Sequence, residues 1–398
     1  MSQSDNNQRE AAPAKTAIWH VPTFRSVVIQ AVAVIVIGWI FYSIFSNTLS
    51  NMESRGITTG FAFLDSTAGY SILMSLIEYD STYSYGRTFW VGLLNTVLIS
   101  VLGIFFATIV GFIMGVARLS SNWLVAKIAT VYVETLRNIP LLLQILFWYN
   151  AVLATLPHPR DSLAMGDSVF LNSRGLYIPS PVPEAGFSYV MWAFFIAIAA
   201  VVYMVRWARK RQEATGQPFP AFMASVGLLI GLPGIVFLIM GTPMTLDYPS
   251  LQGFNFRGGV SIIPELMALL WALTFYTAAF IAEIVRSGIV GVSHGQTEAA
   301  RALGLGNAQT LRLVVVPQAM RIIIPPLTSQ YLNLAKNSSL ATAIGYPDLV
   351  AVFMGTTLNQ TGQAVQIVAM PMAVYLVMRL LLSCFMTWFN KRFALLDT

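Results

Sequence analysis

The chain has 398 residues, of which 56% are hydrophobic and only 10% are charged. A soluble protein cannot cover its surface with so few charges, because soluble domains carry about 25% of them. The composition therefore excludes a soluble globular protein and a disordered chain. The net charge of +6 does not by itself indicate nucleic-acid binding, since the placement of the charges along the chain matters more than their sum.

Eight apolar stretches are long enough to cross a bilayer as helices, which takes about 20 residues because lipid offers the backbone no hydrogen-bond partner. In chain order the predicted spans are residues 27–47, 89–117, 128–156, 188–205, 220–241, 264–285, 313–340 and 369–390. The first span follows a polar tail, residues 1–26, and is too long for a signal-peptide core, so it is interpreted as a retained anchor. The predicted fold class is an all-α polytopic membrane protein with about eight transmembrane helices.

The lysines and arginines predict the orientation of these spans. With the N-terminus in the cytoplasm, most of them fall in cytoplasmic segments, whereas the opposite loops carry most of the acidic residues. The even number of spans then places the C-terminal tail, residues 391–398, in the cytoplasm as well. Two long outer loops follow, residues 48–88 and 157–187, and the second is expected to have little regular structure because it contains several prolines.

Two pairs of ionisable residues lie in or beside the predicted spans, where charge is costly and normally faces a partner or a cavity. Glu134 and Arg137 are three residues apart in the third span, and Glu283 and Arg286 have the same spacing at the end of the sixth. Each pair can form an ion pair within its helix, since side chains at this spacing are neighbours. This structural role and a functional one are equally open.

The sequence shows no motif or cluster of residues that would indicate an enzyme. No lysine follows a glycine, so the Gly-Lys-Ser/Thr core of the common phosphate-binding loop is absent. The three histidines are far apart in sequence and Cys384 is the single cysteine, so neither a metal site nor an intrachain disulfide is predicted. We expect a chain with no catalytic residues, no metal and no cofactor of its own.

The segment between the sixth and seventh spans predicts two short helices around a glycine turn on the cytoplasmic side. Ser293 and Gln296 fit a capping box, and Glu298 lies in the first turns, where a negative charge suits the helix dipole. Gly304 can take the left-handed conformation that ends a helix. Asn307 is a suitable N-cap for the next helix, which is expected to run until a proline interrupts it.

This segment, residues 293–312 with the proline after it, resembles the coupling loop of permease subunits of bacterial ATP-binding-cassette importers. The family's signature is Glu-Ala-Ala, three residues, Gly, nine residues and an apolar-x-apolar-Pro ending, which reads here Glu298, Ala299, Ala300, Gly304, Val314, Val316 and Pro317. The family usually has Ile and Leu where this chain has the two valines. Further motifs resemble the branch for polar amino acids, namely those beginning at Asn95, Arg137, Ala282, Gly295, Pro317 and Lys336.

The resemblance divides the chain into a permease core and additions. The core covers residues 89–157 and 264–390, and residues 27–88 add the first span and a long periplasmic loop. Residues 158–260, with two extra spans, form an enlarged middle insertion that is similar to the general L-amino-acid permease subgroup. The resemblance implies a type I importer-like permease core.

The same resemblance implies a transport subunit that moves amino acids across the bacterial inner membrane with partners. These are ATPase subunits that bind the ATP, a second permease subunit expected to be a paralogue, and a periplasmic amino-acid-binding protein, with no nucleic acid. Glu298, Ala299, Ala300, Gly304 and Pro317 are the implied ATPase-coupling residues, although a solvated hairpin without a partner would have the same pattern. The two long outer loops either contact the binding protein or cover the extra spans. A basic cluster at residues 206–211 is expected to meet anionic membrane lipid.

Polar residues recur at helical spacing along the seventh predicted span. Gln330, Asn333 and Asn337 form this stripe, with Lys336 and Ser338 beside them, and a helix that faces only lipid would not carry it. The stripe either lines the substrate path, where an amino-acid zwitterion needs donors and acceptors, or joins two permease subunits. The alternative function is an ion-coupled secondary amino-acid transporter, which would show inverted repeats, and no clear repeat is present.

Overall fold

Twelve α-helices and eight short strands follow one another in the computed structural model, which describes residues 22–54, 60–217 and 219–394. Most of the two predicted cytoplasmic tails lies outside these residues. The helices are α1 (Pro22–Ser54), α2 (Tyr85–Ala117), α3 (Trp123–Asn138), α4 (Leu141–Leu146), α5 (Phe187–Thr215), α6 (Ala221–Ile239), α7 (Pro264–Val290), α8 (His294–Ala302), α9 (Asn307–Thr310), α10 (Val316–Asn337), α11 (Leu358–Thr361) and α12 (Ala364–Ala394).

Short turns of other helical types extend these elements. Wider π-helical turns continue α4 through Phe147–Leu153, join α9 to α10 at Leu311–Val315 and precede α11 at Val350–Thr357. Tighter 3-10 turns cover Ala62–Asp65, Pro159–Asp161 and Ser338–Ile344. In the described chain, seven helical runs are long and apolar enough to cross a membrane, and a bent pair brings the number to eight. The predicted fold class is confirmed.

The bent pair stands where one span was predicted at residues 128–156. The axes of α3 and of Leu141–Leu153 differ by 107°, so residues 128–156 form two helical segments with a sharp corner and not one continuous helix. The break follows from Pro140, because the residue before a proline avoids the helical region, and Ile139 is extended with φ −94° and ψ 126°. Gln144 stabilises the corner, since its Nε2 donates to the carbonyls of Leu136 and Ile139 at 2.9 and 3.0 Å.

Helix α7 is the centre of the membrane bundle, whereas α1 has no buried side chain in its span. Glycines on α2 allow a close approach to α7, as small residues do in many membrane helix pairs. A Cβ atom at Gly111 would lie 2.6 Å from the side chain of Ile281, and one at Gly115 would lie 2.7 Å from the carbonyl oxygen of Ala282. A larger residue at either position would therefore force α2 and α7 to move apart.

The segment after α4 and the segment after α6 together form a layer of strands outside the bundle. A four-stranded antiparallel sheet has the order β1 (Leu163–Met165), β2 (Val169–Asn172), β3 (Gly175–Ile178) and β8 (Val260–Ile262). Two ribbons pair β4 (Ser180–Pro183) with β5 (Met244–Asp247), and β6 (Ser250–Gln252) with β7 (Asn255–Arg257). We refer to these eight strands as the outer layer.

The expectation of little regular structure in residues 157–187 is therefore wrong. Pro181 and Pro183 lie on β4, which pairs with β5 alone, so the missing N–H groups cost little. Gly175 has a φ of +132°, and a Cβ there would collide with the carbonyl of Ile262 across the sheet. Between the two strand segments, α5 and α6 pack against each other as a helical pair.

Candidate functional site

The predicted glycine turn between the two short helices that follow α7, α8 and α9, is present. Gly304 has a φ of +79°, a conformation that L side chains rarely adopt. The end of α8 is closed by backbone hydrogen bonds from the N–H of Gly304 to the carbonyl of Arg301 at 2.9 Å, and from Leu305 to Ala300 at 3.2 Å. The expected left-handed glycine is confirmed. We call residues 293–310 the helical hairpin.

The predicted caps of this hairpin are wrong in detail. Ser293 makes no side-chain cap bond, because the N–H of Gln296 donates to the Ser293 carbonyl at 3.0 Å. The Oε1 of Gln296 accepts from Gln318 Nε2 on α10 at 3.1 Å. Gly306, not Asn307, precedes α9, and its N–H donates to the Oε1 of Gln309 at 3.1 Å. These bonds tie the hairpin internally and to α10.

Pro317 also differs from expectation, because it does not interrupt the helix. The π-helical turn Leu311–Val315 leads directly into α10, and the proline takes the second position of that helix. The N–H that a proline lacks is therefore missing at the junction of the π turn with α10, where the helical hydrogen-bond pattern changes. Pro317 therefore lies at the joint between the hairpin and a membrane span.

The residues predicted to contact an ATPase divide into an exposed set and a buried one. Glu298 is exposed, with its Oε1 3.0 Å from Nδ1 of His294 one turn earlier, and Ala299 is exposed beside it. Ala300 is 3% exposed and packs inside the hairpin. The surface that a partner could touch also includes Leu303, which is 83% exposed. The motif gave no role to Leu303, although an apolar residue next to the turn glycine was the available signal.

One arginine connects three helices of the bundle through ion pairs. Arg118, at the end of α2, lies 2.5 Å from Glu283 on α7 and 3.4 Å from Glu134 on α3. Its side chain is only 12% exposed. Because Glu283 is far from Arg118 in sequence, only the fold reveals this contact.

The two predicted intrahelical pairs have different outcomes. Glu283 and Arg286 form the predicted pair, with Oε1 and Nη2 2.6 Å apart. Among the described residues no ion pair joins Glu134 to Arg137, because Glu134 faces Arg118. The guanidinium of Arg137 instead lies 5.3 Å from the ring centre of Phe280 on α7. The charges thus fasten α2, α3 and α7 to one another.

The polar stripe falls on α10 and is partly accessible. Asn333 and Lys336 are exposed, and Gln330 and Asn337 are half-buried. Ser338 is fully buried, and its hydroxyl donates to the carbonyl of Ala335 at 2.8 Å, so the structure separates it from the accessible stripe. The exposed polar face of a membrane helix requires another subunit or water beside it.

A cavity of about 490 Å³ lies between α10 and α12 next to this stripe. Lys336 and Ser339 line it from one side, and Tyr375 and Arg379 line it from the other. Methionines and leucines form much of the remaining wall. No sequence motif points to Arg379, since its distance from α10 in sequence hides their proximity.

The Asn95 motif has a structural explanation. The side chain of Asn95 donates from Nδ2 to the carbonyls of Met74 and Pro347, both at 2.9 Å, and Leu349 N–H donates to the hydroxyl of Thr96 at 3.0 Å. These buried contacts anchor the segment between the last two spans, residues 345–363, to α2. In that segment, burial raises the pKa of Asp348 to about 6.

The fold defines a multi-pass membrane protein with an exposed helical hairpin between two of its spans. Residues 219–395 match the model of the family "Binding-protein-dependent transport system inner membrane component". The chain is 52% identical to the putative amino-acid ABC transporter permease protein YhdX of Escherichia coli (strain K12), over 94% of this chain and 96% of that protein.

Two further relatives also align with nearly the whole chain. The chain is 52% identical to the general L-amino acid transport system permease protein AapQ of Rhizobium johnstonii, over 94% of each chain. It is 43% identical to the glutamate/glutamine/aspartate/asparagine transport system permease protein BztB of Rhodobacter capsulatus, also over 94% of each. The chain belongs to the family of permease proteins of binding-protein-dependent ABC transport systems, and the predicted resemblance is confirmed.

Proposed function

We propose that this permease carries amino acids into the bacterial cell as the membrane-spanning part of an ATP-driven importer. The observation that carries this proposal is the 52% identity over 94% of the chain to permeases named for amino-acid transport. Membership of a binding-protein-dependent family gives no support to the alternative of an ion-coupled secondary transporter.

The helical hairpin is the proposed contact with separate ATPase subunits, which bind the ATP. Glu298, Ala299 and Leu303 form its exposed face, while buried Ala300 and the turn at Gly304 fix its shape. A stiff contact is required, because an ATPase can move a membrane helix only through an element that does not itself yield. Both ends of the hairpin meet spans, α7 before it and α10 after it.

The polar residues of α10 are the proposed substrate path. Exposed Asn333 and Lys336 and half-buried Gln330 and Asn337 offer donors and acceptors for an amino-acid zwitterion. Buried Ser338 supports this path from behind, since its hydroxyl binds the backbone of Ala335 and also contacts Tyr375. A second permease subunit, proposed to be a paralogue, would cover the exposed face, and a periplasmic binding protein would deliver the amino acid at the outer side. In this arrangement both termini are cytoplasmic.

The deciding experiment isolates the chain from bacterial membranes, identifies the subunits that accompany it, and reconstitutes the assembly in liposomes. We expect an ATPase and a second permease to co-purify, and labelled glutamine or glutamate to accumulate only with ATP and the binding protein. Uphill uptake by this chain alone, driven by an ion gradient without ATP, would overturn the proposal.

The substrate path has its own test in the same assembly. We expect Asn333→Ala to lower uptake of several amino acids while leaving the subunits assembled, whereas Ser329→Ala, one turn away on the exposed face, has a smaller effect. Lower uptake that follows loss of the second permease from the purified assembly would assign Asn333 to the subunit interface instead. Wild-type uptake by an intact assembly would contradict a place for Asn333 in the substrate path.

A further inference from the structure

A second polar cavity, of about 380 Å³, lies between the outer layer and the beginning of α7. Arg174, Tyr177, Asn255 and Ser261 line it from the strand segments, Glu265 lines it from the first turn of α7, and Leu73 lies at its edge. This volume is within the range of pockets that hold small molecules, about 300–1,000 Å³. None of the sequence motifs pointed to these residues.

Glu265 is the acidic group of this cavity, and only one of its two carboxylate oxygens has a hydrogen-bond partner among the described residues. Its Oε1 accepts a hydrogen bond from the hydroxyl of Tyr149 at 2.9 Å. Its Oε2 is buried and has no hydrogen-bond partner among the described residues. A buried carboxylate oxygen without a donor is costly, so the position favours a ligand that brings N–H donors and a positive charge.

Arg174 is the basic group, and it is exposed at the turn between β2 and β3. One guanidinium nitrogen donates to the carbonyl of Phe254 at 3.2 Å, which ties the side chain to the β6–β7 ribbon. Among the described residues no ion pair joins Arg174 to Glu265. Opposite charges that share a cavity without neutralising each other suit a ligand that carries both charges itself.

The remaining polar wall is held in place. Tyr177 is only 3% exposed, and its hydroxyl donates to the Oδ1 of Asn255 at 2.9 Å. The strands that carry Tyr177 and Ser261 pair in register, so these two residues lie opposite each other in the sheet. The cavity is therefore built on paired strands and on the most buried membrane helix, and its shape does not depend on a single loop.

We propose that this cavity binds the α-ammonium and α-carboxylate of a free amino acid, with Glu265 facing the ammonium and Arg174 facing the carboxylate. The inference rests on the proposed function, since it identifies where the imported amino acid first meets this chain. The first turn of α7 would then contact the solute at one end of the helix, while the other end leads into the helical hairpin.

Protection of an introduced cysteine tests the site without requiring transport. In the assembled transporter, Cys384→Ser removes the native thiol of this chain, and Ser261→Cys places a new one in the cavity wall. The rate at which a charged thiol reagent modifies this chain is measured with L-glutamine, with glutaramate, which lacks the ammonium, and with 4-aminobutanamide, which lacks the carboxylate. The binding protein is omitted.

We expect glutamine to slow labelling, and each analogue to protect at least about tenfold less well, because a hydrogen bond to a charged group contributes about 1.5–3 kcal/mol. Arg174→Gln should remove the preference for glutamine over 4-aminobutanamide. Arg257→Gln, an exposed arginine on β7 that does not line the cavity, is the matched control and should leave the preference unchanged.

Equal protection by all three compounds would overturn the inference, and so would the absence of protection by glutamine in an assembly that still imports glutamine. That second result would leave the proposed function intact. Conversely, protection in an assembly that imports no amino acid under any condition would support the cavity and refute the proposed function. Protection by 4-aminobutanamide equal to that by glutamine, unaffected by Arg174→Gln, would identify a simple cation site and would also refute the inference.

Discussion

The turn at Gly304 provides a sharp test of the helical hairpin, because a second glycine two residues later serves as a control. With φ at +79° and no atom within 4 Å of an added Cβ, Gly304→Ala meets no steric obstacle, so its cost is purely that of the left-handed backbone. That cost is about 1–2 kcal/mol. Gly306 has φ −68° and ψ 163°, so Gly306→Ala carries no such cost.

A local cost of this size shifts the balance between the closed turn and an opened one by a factor of about 5–30. The opened turn loses the hydrogen bonds from Gly304 and Leu305 that end α8. The hairpin then transmits less of the ATPase movement, so fewer amino acids enter for each ATP hydrolysed. Gly306→Ala should keep the wild-type ratio.

The assay measures uptake and ATP hydrolysis in the same liposomes, after the amount of bound ATPase subunit has been shown to be equal. Our reasoning predicts a lower ratio of uptake to hydrolysis for Gly304→Ala alone. Equal ratios for Gly304→Ala, Gly306→Ala and the wild-type chain, at equal assembly, would refute the role of this turn.

Three other predictions concern stability. Asp348 has a pKa of about 6 in the folded chain against 3.8 in the reference state, so its contribution to stability is lost as the pH rises from about 4 to 6. Asp348→Asn should remove up to about 3 kcal/mol of the change in unfolding free energy between these pH values. Thermal unfolding at pH 4 and pH 8 would measure it, and an equal pH dependence of stability in the variant and the wild-type chain would contradict the prediction. Arg118→Gln should lower the free energy of unfolding by about 1–3 kcal/mol, since Glu283 loses a charged partner. Adding Glu283→Gln to this variant should recover part of the lost stability in a double-mutant cycle. Gly115→Ala should cost about 1–3 kcal/mol by forcing α2 away from α7, whereas Gly231→Ala, with nothing within 4 Å of its Cβ, should be neutral or stabilising in the same unfolding assay.

The membrane spans could be predicted from the sequence because their signal is local. Seven of the eight predicted apolar runs lie in single helical runs, and the left-handed turn at Gly304 followed from a glycine at the end of an alanine-rich helix. The corner at Pro140 was also readable in principle, since a proline between two apolar runs separates them. A window of hydropathy averages across that proline, which is why residues 128–156 appeared as one span.

The outer layer was hidden for a different reason. Its strands are only three or four residues long, and β8 pairs with β3 across a stretch that includes two membrane helices. The local signals of these hairpins were short turns that contain a glycine, at Gly166 between β1 and β2, at Gly175 after Asn172, and at Gly253 between β6 and β7. Nothing local could reveal the contact of Arg118 with Glu283, or the convergence of Arg174 and Glu265 on one cavity.

The pairing of β3 with β8 has a consequence for how this chain could vary. Leu176 and Ile262 lie side by side in the sheet, at the usual strand spacing of about 4.8 Å, although α5 and α6 intervene between them in sequence. The chain leaves the sheet at the end of β3 and returns to it at the neighbouring strand β8. A tight turn could therefore replace all residues between these strands without moving either strand. The helices α5 and α6 could therefore be absent from a shorter permease, whose chain would only need a turn that joins β3 to β8.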